Sequence, residues 1–144
     1  MIHVNSVTSA LQALFAADAV LVSSAFTVQE GEALNRNVER TPWVGIYAGT
    51  LAVGPYTLGG VQPWRAELEL LLYVQEASHR SGEEATRRLG AAQAAVLDVL
   101  NANKTLGGTV TMLSDLQVTP FGRDLEEDTW LFTNEIALKA ELRG

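Results

Sequence analysis

An alternating stretch in the middle of the chain constrains the fold more than any other feature. Between Ala66 and Ala77, the residues at even-numbered positions are mainly aliphatic, and those at odd-numbered positions are polar or mixed. The aliphatic set is Leu68, Leu70, Leu72 and Val74, and the other set is Glu67, Glu69, Leu71, Tyr73 and Gln75. Because successive strand side chains point to opposite faces, the pattern predicts a strand with one covered face. A slip of one residue would put two glutamates in the core, so the register is strongly fixed.

A well-capped helix is predicted directly after this strand, from Ser81 to Asn103. The Ser81 hydroxyl can accept from the backbone N–H of Glu84, and the Glu84 carboxylate can reach back, which forms a capping box. Apolar side chains then recur at steps of three and four, at Ala85, Leu89, Ala92, Val96, Val99 and Leu100. The small side chains on this stripe would let the helix lie close to a sheet.

The other segments predict a second helix and three more strands. An N-terminal helix follows a cap at Asn5 or Ser6, and 20–22 fit either a helix or a strand. Strands are predicted over 42–49, over 110–118 with a bend near Ser114, and over 130–142, whereas 29–40, 49–64 and 120–128 predict loops or turns. This order predicts one α+β domain over 1–144. Its antiparallel sheet has about four main strands, with the N-terminal helix and the long central helix packed on it.

Composition excludes several classes of protein. The chain has 144 residues, of which 47% are hydrophobic and 19% charged, as in globular domains. No apolar run approaches the roughly 20 residues of a membrane span, and a signal peptide is not indicated. The absence of cysteine excludes disulfides and thiolate metal sites. A net charge of −7 without a Lys or Arg cluster argues against sustained binding to a nucleic-acid backbone.

The residue clusters that might support chemistry are better explained as structure. Asp124, Glu126 and Asp128 have the spacing of a calcium loop, but Thr129 stands where that loop needs glycine, so an acidic turn is favoured. The only histidines, His3 and His79, cannot make a conventional zinc site without several carboxylates. We therefore predict no catalytic residues, no cofactor and no metal, and a protein that is not an enzyme.

Four residues are candidates for a subunit interface: Tyr56, Trp64, Phe121 and Arg123. The three rings lie in segments rich in Gly and Pro, where they have little core of their own to fill. Aromatic residues and Arg are enriched at the centres of interfaces. An alternative stays open, in which the rings fold back over the end of their own sheet. The uncovered sheet face is also too apolar for simple solvation, which predicts that part of it meets another subunit.

As a whole the chain resembles the tail terminator (tail completion) proteins of long-tailed bacteriophages, the lambda minor tail protein U-like family. The resemblance covers nearly the whole chain. Besides the N-terminal helix it rests on Pro42-Trp43-Val44, Glu67 to Gln75, Glu83-Glu84-Ala85, Thr105-Leu106-Gly107-Gly108-Thr109-Val110, and Phe132 to Leu142. It implies no catalytic positions, because no residue of that family carries catalysis.

The resemblance implies a structural virion protein that acts without chemistry. Its subunits would close into a hexameric ring at the head-proximal end of the tail, where the ring stops tube polymerisation and offers a docking surface to the head. The implied partners are further copies, the tail tube protein and the head–tail connector proteins, with assembly in the cytoplasm of the bacterial host and no membrane involved.

DNA would pass through such a ring without specific binding. The acidic balance of the chain suggests carboxylates facing the lumen, and the candidates are Glu67, Glu69, Glu126, Glu127 and Asp128. Two alternatives remain open: a head-completion or neck connector subunit of a phage, and a different class altogether, namely a small intracellular ligand-binding domain or an unrecognised enzyme.

Overall fold

Five strands form one mixed sheet with the helices on a single face. The computed structural model describes residues 4–31, 40–54 and 65–143. The helices are α1 (Val4–Ala17), α2 (Ala19–Ser23) and α3 (Gly82–Ala102), and the strands are β1 (Thr27–Glu30), β2 (Trp43–Val53), β3 (Arg65–Ser78), β4 (Met112–Glu126) and β5 (Thr129–Arg143). The strand order is β1-β2-β3-β5-β4, with β1 parallel to β2 and the other neighbours antiparallel. The predicted α+β class is confirmed.

The central strand β3 sets the two faces of the sheet. It pairs with β2 on one side and with β5 along its whole length on the other, so that Leu70 lies between Ala48 and Leu138. Its predicted aliphatic set is completely buried under the helices: Leu68, Leu70, Leu72 and Val74. The predicted assignment of faces in β3 is therefore confirmed.

The long helix α3 begins as predicted and buries the predicted stripe. The Ser81 hydroxyl accepts from the Glu84 N–H at 3.0 Å. The Glu84 carboxylate does not return to Ser81 but pairs with Arg88 at 2.8 Å and Arg80 at 3.8 Å. α3 packs on β3 and β5 while α1 packs on β1 and β2, and their buried side chains join one hydrophobic cluster.

The predicted loop over 29–40 is wrong at its start, where β1 forms. Phe26 and Val28 pack against the core and hold this segment beside β2. The polar residues that favoured a loop have partners: Gln29 Oε1 accepts from Trp43 Nε1 at 3.0 Å, and Glu30 accepts from a hydroxyl of α1. The segment 20–22, undecided from sequence, lies in the helix α2.

The predicted turn over 120–128 is wrong over 120–126, where β4 continues. The strand ends at Glu126, and the hairpin to β5 turns on Glu127 and Asp128, with φ of 47° and 65°. Two consecutive residues with positive φ are typical of a tight two-residue hairpin. The predicted bend near Ser114 is confirmed by an irregularity between Ser114 and Gln117, and a second one follows Pro120.

Leu70 and Leu71 lie on opposite faces of β3, so replacing each of them with alanine should lower the free energy of unfolding by different amounts. We expect Leu70→Ala to lower the free energy of unfolding by about 2–5 kcal/mol, since it leaves a cavity among fully buried side chains. Leu71→Ala, on the half-buried face, should cost markedly less. Urea denaturation of the two variants measures the difference, and equal losses would contradict this assignment of faces.

Candidate functional site

The sheet face that points away from the helices carries charged side chains along its two central strands. We call it the charged face and define it by Glu67, Glu69, Leu71, Tyr73, Glu135, Ala137, Lys139 and Glu141. Cross-strand partners share a face, and the register sets Glu69 opposite Lys139 and Glu67 opposite Glu141. This surface has four carboxylates and one ammonium group, and the next pair of residues on the same face, Arg65 and Arg143, adds two guanidinium groups at its end.

Lys139 and Arg143 offset part of the repulsion on this face. Lys139 Nζ lies 3.1 Å from Glu67 Oε1 and 3.8 Å from Asp115 Oδ2, while Arg143 Nη2 lies 3.1 Å from Glu141 Oε1. The hydrogen bond to Glu67, with the charges of Glu67 and Asp115, raises the pKa of Lys139. Exposed ion pairs of this kind stabilise a fold weakly.

Tyr73 connects the charged face to the edge strand. It is 6% exposed, and its hydroxyl hydrogen-bonds to Glu135. Burial, followed by this hydrogen bond and the charges of Glu135 and Glu69, raises the pKa of Tyr73 to about 12. The ring of Phe121 meets Tyr73 edge-on, with centroids 5.0 Å apart. Phe121 thus folds partly onto its own sheet, and the remaining 50% of its surface is exposed.

Arg123 contacts the other face of the same hairpin. Its guanidinium donates to the carbonyl oxygens of Gly122 and Thr133 at 2.7 Å and to Asn134 Oδ1 at 2.8 Å. It also lies 5.0 Å from the centroid of the Phe132 ring. These contacts fix the β4–β5 hairpin.

The four predicted interface residues are therefore not brought together by the described structure. Phe121 and Arg123 contact opposite faces of the sheet, through Tyr73 and Phe132 respectively. Tyr56 and Trp64 lie outside the described residues.

The predicted acidic residues form two separate groups. Glu67 and Glu69 belong to the charged face, whereas Glu126, Glu127 and Asp128 lie at the tip of the β4–β5 hairpin. The tip adjoins the pairing of Ser78 with Trp130, at the far end of β3, so about 35 Å of strand separates the groups.

Sequence reasoning missed Glu135 and Glu141, which lie beside Glu67 and Glu69 on the charged face. The alternation of apolar and polar residues in β5 indicated that both lie on the polar face of that strand. Only the register of β5 on β3 shows which carboxylates they join.

The edge strand β4 is exposed and partly apolar. Its outer edge pairs with no other strand in the part of the chain that the structure describes. About half of the surface of each of four large apolar side chains is open: Met112, Leu116, Phe121 and Leu125. Two irregularities and Pro120 interrupt the free backbone edge, which disfavours continuous strand addition along it. These side chains do not form one patch, because Met112 and Phe121 lie on the side of the charged face whereas Leu116 lies beside α3.

An apolar cleft of about 290 Å³ lies between the last turns of α3 and the irregular start of β4. We call it the α3–β4 cleft; its lining includes Leu97, Leu100, Lys104, Leu113, Leu116 and Leu138. A backbone hydrogen bond of 2.8 Å from Leu113 N to Lys104 O closes one end. The lining is mostly apolar, and the volume is at the low end for a small-molecule site.

The described residues contain no cluster of three His, Asp or Glu side chains that could hold a metal ion. His79 Nδ1 lies 2.8 Å from Thr129 Oγ1, a contact between the β3–α3 turn and the start of β5. Over the same residues, no helix is both long and apolar enough to cross a bilayer.

The fold is shared with a chain of the virion of a native gene transfer agent (GTA) particle. The superposition has a TM-score of 0.55 and 19% sequence identity, and it covers 95% of this chain and 94% of the other. No family model matches the sequence, and no curated protein is similar to it. At this identity the likeness concerns the fold, and it extends over nearly the whole of both chains.

The environment of Tyr73 predicts that its hydroxyl loses its proton at a higher pH than an ordinary tyrosine. Because its pKa lies near 12 in the folded protein and 10.0 is the ordinary value, the neutral hydroxyl contributes stability below pH 10 that is lost as the pH rises through 12. We expect Tyr73→Phe to remove the last step of the ultraviolet phenolate titration. Glu135→Gln should move that step to lower pH, and Glu141→Gln serves as the control. Complete titration of all tyrosines of the folded protein well below pH 12 would contradict this environment.

Proposed function

We propose that this protein is a structural component of a bacteriophage or phage-like virion. The observation that carries the proposal is the fold likeness, over 95% of the chain, to a chain of a gene transfer agent virion. The described residues also contain no cluster of three metal-ligating side chains, and they expose apolar side chains along an edge strand. Both features fit a protein that works by contact with its neighbours.

Within the virion, the function that fits best is that of a tail terminator. Copies of a single-domain subunit close into a hexameric ring on the last ring of the tail tube, at the head-proximal end. The sequence resemblance to phage tail terminators supports this role. So does the asymmetry of the subunit, because a ring requires two different surfaces on each copy that meet around an axis. The apolar edge β4 lies on one side of the sheet and β1 with α2 on the other.

Such a ring acts by shape, without a reaction. One rim matches the tube and ends its polymerisation, and the other offers a docking surface to the head–tail connector proteins. The partners are thus further copies, the tube protein and the connector, and the ring assembles in the bacterial cytoplasm.

The charged face suits the wall of a channel that DNA crosses. Its four carboxylates would repel the phosphate backbone and prevent DNA from adhering during passage. The hairpin tip at Glu126, Glu127 and Asp128 would place a second acidic group at another level of the channel. The apolar residues between the carboxylates, Leu71 and Ala137, are only half-buried, as a face in contact with other subunits at its margin would be.

A second candidate is a head-completion or neck connector subunit. The solved neighbour is described only as part of a whole virion, so its likeness fits a neck position as well as a tail position. Binding to isolated heads instead of tubes would favour this candidate. A ligand-binding domain is the weaker alternative, because the α3–β4 cleft is small and has few polar groups to orient a metabolite.

Electron microscopy of the purified protein, alone and mixed with tail tubes of its own particle, tests the terminator role. We expect closed rings seated at one end of each tube, and tubes that no longer elongate when tube protein is added. A protein that stays monomeric, leaves tube ends bare and shows a thermal shift with a small molecule would contradict the role.

Charge reversal on the charged face tests the lumen assignment. Because Lys at these positions would attract phosphate, we expect Glu67→Lys with Glu69→Lys to slow DNA ejection from assembled particles, most strongly at low salt. Glu83→Lys with Asp98→Lys makes the same charge change at exposed positions of α3 and should leave ejection unchanged. Lys at Glu126, Glu127 and Asp128 tests the hairpin tip separately. Unaltered ejection in both the charged-face and the tip variants would exclude carboxylates from the channel wall.

A further inference from the structure

The charged face ends in two arginines that stand directly opposite each other. Arg65 on β3 pairs with Arg143 on β5, one row beyond the pair of Glu67 and Glu141, and both arginine side chains are exposed. We call these two residues the arginine pair. Cross-strand partners have Cβ atoms about 5 Å apart, and like charges in this position destabilise a sheet. The folded subunit therefore holds two positive charges close together at one end of its sheet.

The carboxylates next to the arginine pair compensate for only one of its charges. Glu141 Oε1 accepts from Arg143 Nε at 3.2 Å and lies 3.1 Å from Arg143 Nη2. Glu67 Oε1 lies 3.1 Å from Lys139 Nζ and is thus already paired. Among the described residues, no carboxylate lies within ion-pair distance of Arg65. One positive charge at this end of the sheet is therefore uncompensated, although the chain as a whole carries a net charge of −7.

A shallow depression of about 390 Å³ adjoins the arginine pair. It is lined by Ala52, Val53, Gly54, Arg65, Ala66, Glu67 and Glu141. Among these described residues none is aromatic, whereas aromatic anchors are typical of the centres of protein–protein interfaces. A guanidinium group, by contrast, presents a planar fork of donors that matches the oxygens of a phosphate. The depression and the uncompensated charge therefore suit a compact anionic group better than a protein side chain.

We propose that the arginine pair binds phosphate groups of the DNA backbone at one mouth of the channel. The inference rests on the proposed function, in which the charged face lines that channel. In this arrangement β3 and β5 run from one mouth to the other, and the acidic hairpin tip lies at the far end of the same strands. The arginine pair holds the duplex at its own mouth without reading the sequence, because phosphate contacts carry no sequence information. The carboxylates between the two ends keep the rest of the duplex from adhering to the wall.

The absence of cysteine from the sequence allows a photocrosslinker to be placed beside the arginine pair. Ala52→Cys places a thiol in the depression, and Ala91→Cys places one on the outer side of α3 as the control. Each variant is labelled with an aryl azide, assembled into DNA-filled particles and irradiated. We expect Ala52→Cys to crosslink DNA with a several-fold higher yield than Ala91→Cys.

Neutral variants test whether the arginines make the contact. Arg65→Gln with Arg143→Gln removes both charges and should reduce the DNA crosslink from Ala52→Cys several-fold. Arg65→Lys with Arg143→Lys keeps the charges and should retain part of the crosslink. Arg80→Gln with Arg87→Gln is the matched control, because it makes the same charge change at exposed positions near the start of α3 and should leave the crosslink unchanged. An equal yield with and without the arginine pair would overturn the contact.

The outcomes separate this contact from the proposed function. Rings at tube ends, without a DNA crosslink specific to Ala52→Cys, would overturn the contact and leave the terminator role standing. A crosslink from Ala52→Cys to another virion protein instead of DNA would also overturn the phosphate contact. An arginine-dependent DNA crosslink in particles whose tube ends carry no ring of this protein would support the contact and reject the terminator role.

Discussion

The two-faced pattern of β3 is the constraint on which the rest of the structure depends. The strand is paired on both sides. Its aliphatic side chains must therefore face the helices, and the alternating set that contains its glutamates must point the other way. α3 packs on β3 and β5 while α1 packs on β1 and β2, and both helices join one hydrophobic cluster that includes Leu68, Leu70 and Leu72. The register also decides which carboxylates of β5 stand beside Glu67 and Glu69.

The surfaces that we propose for assembly follow from this arrangement. Helices on one face leave the other face free to carry an acidic excess, which a core-facing strand could not tolerate. The order of the strands leaves β1 and β4 as different edges, one short with α2 beside it and one long and irregular with the α3–β4 cleft behind it. A subunit with two unlike edges is suited to head-to-tail contact around an axis, in which each copy offers one surface to each neighbour.

The sequence predicted the elements in which apolar residues recur regularly over many positions. It did not predict the segments in which this periodicity is short or interrupted. The β3 faces and the α3 stripe were fixed by long, regular spacing. β1 was missed because four residues are too few to show a period, and Gln29 and Glu30 conceal that Phe26 and Val28 enter the core. β4 was cut short because Pro120 and Gly122 resemble turn residues, whereas an edge strand tolerates them beside an irregularity. The α3–β4 cleft had no sequence signal, since it depends on how far the bent start of β4 stands from α3.

We propose that this chain acts by fitting its neighbours in a closed ring and transforms no substrate. A cryo-electron microscopy map of the intact particle at the junction of head and tail is the decisive measurement. We expect one closed ring of copies of this fold on the last ring of the tube, with Glu67 and Glu69 facing the channel. Copies found singly, away from the tube axis, or holding a bound metabolite in an enclosed cleft would contradict it.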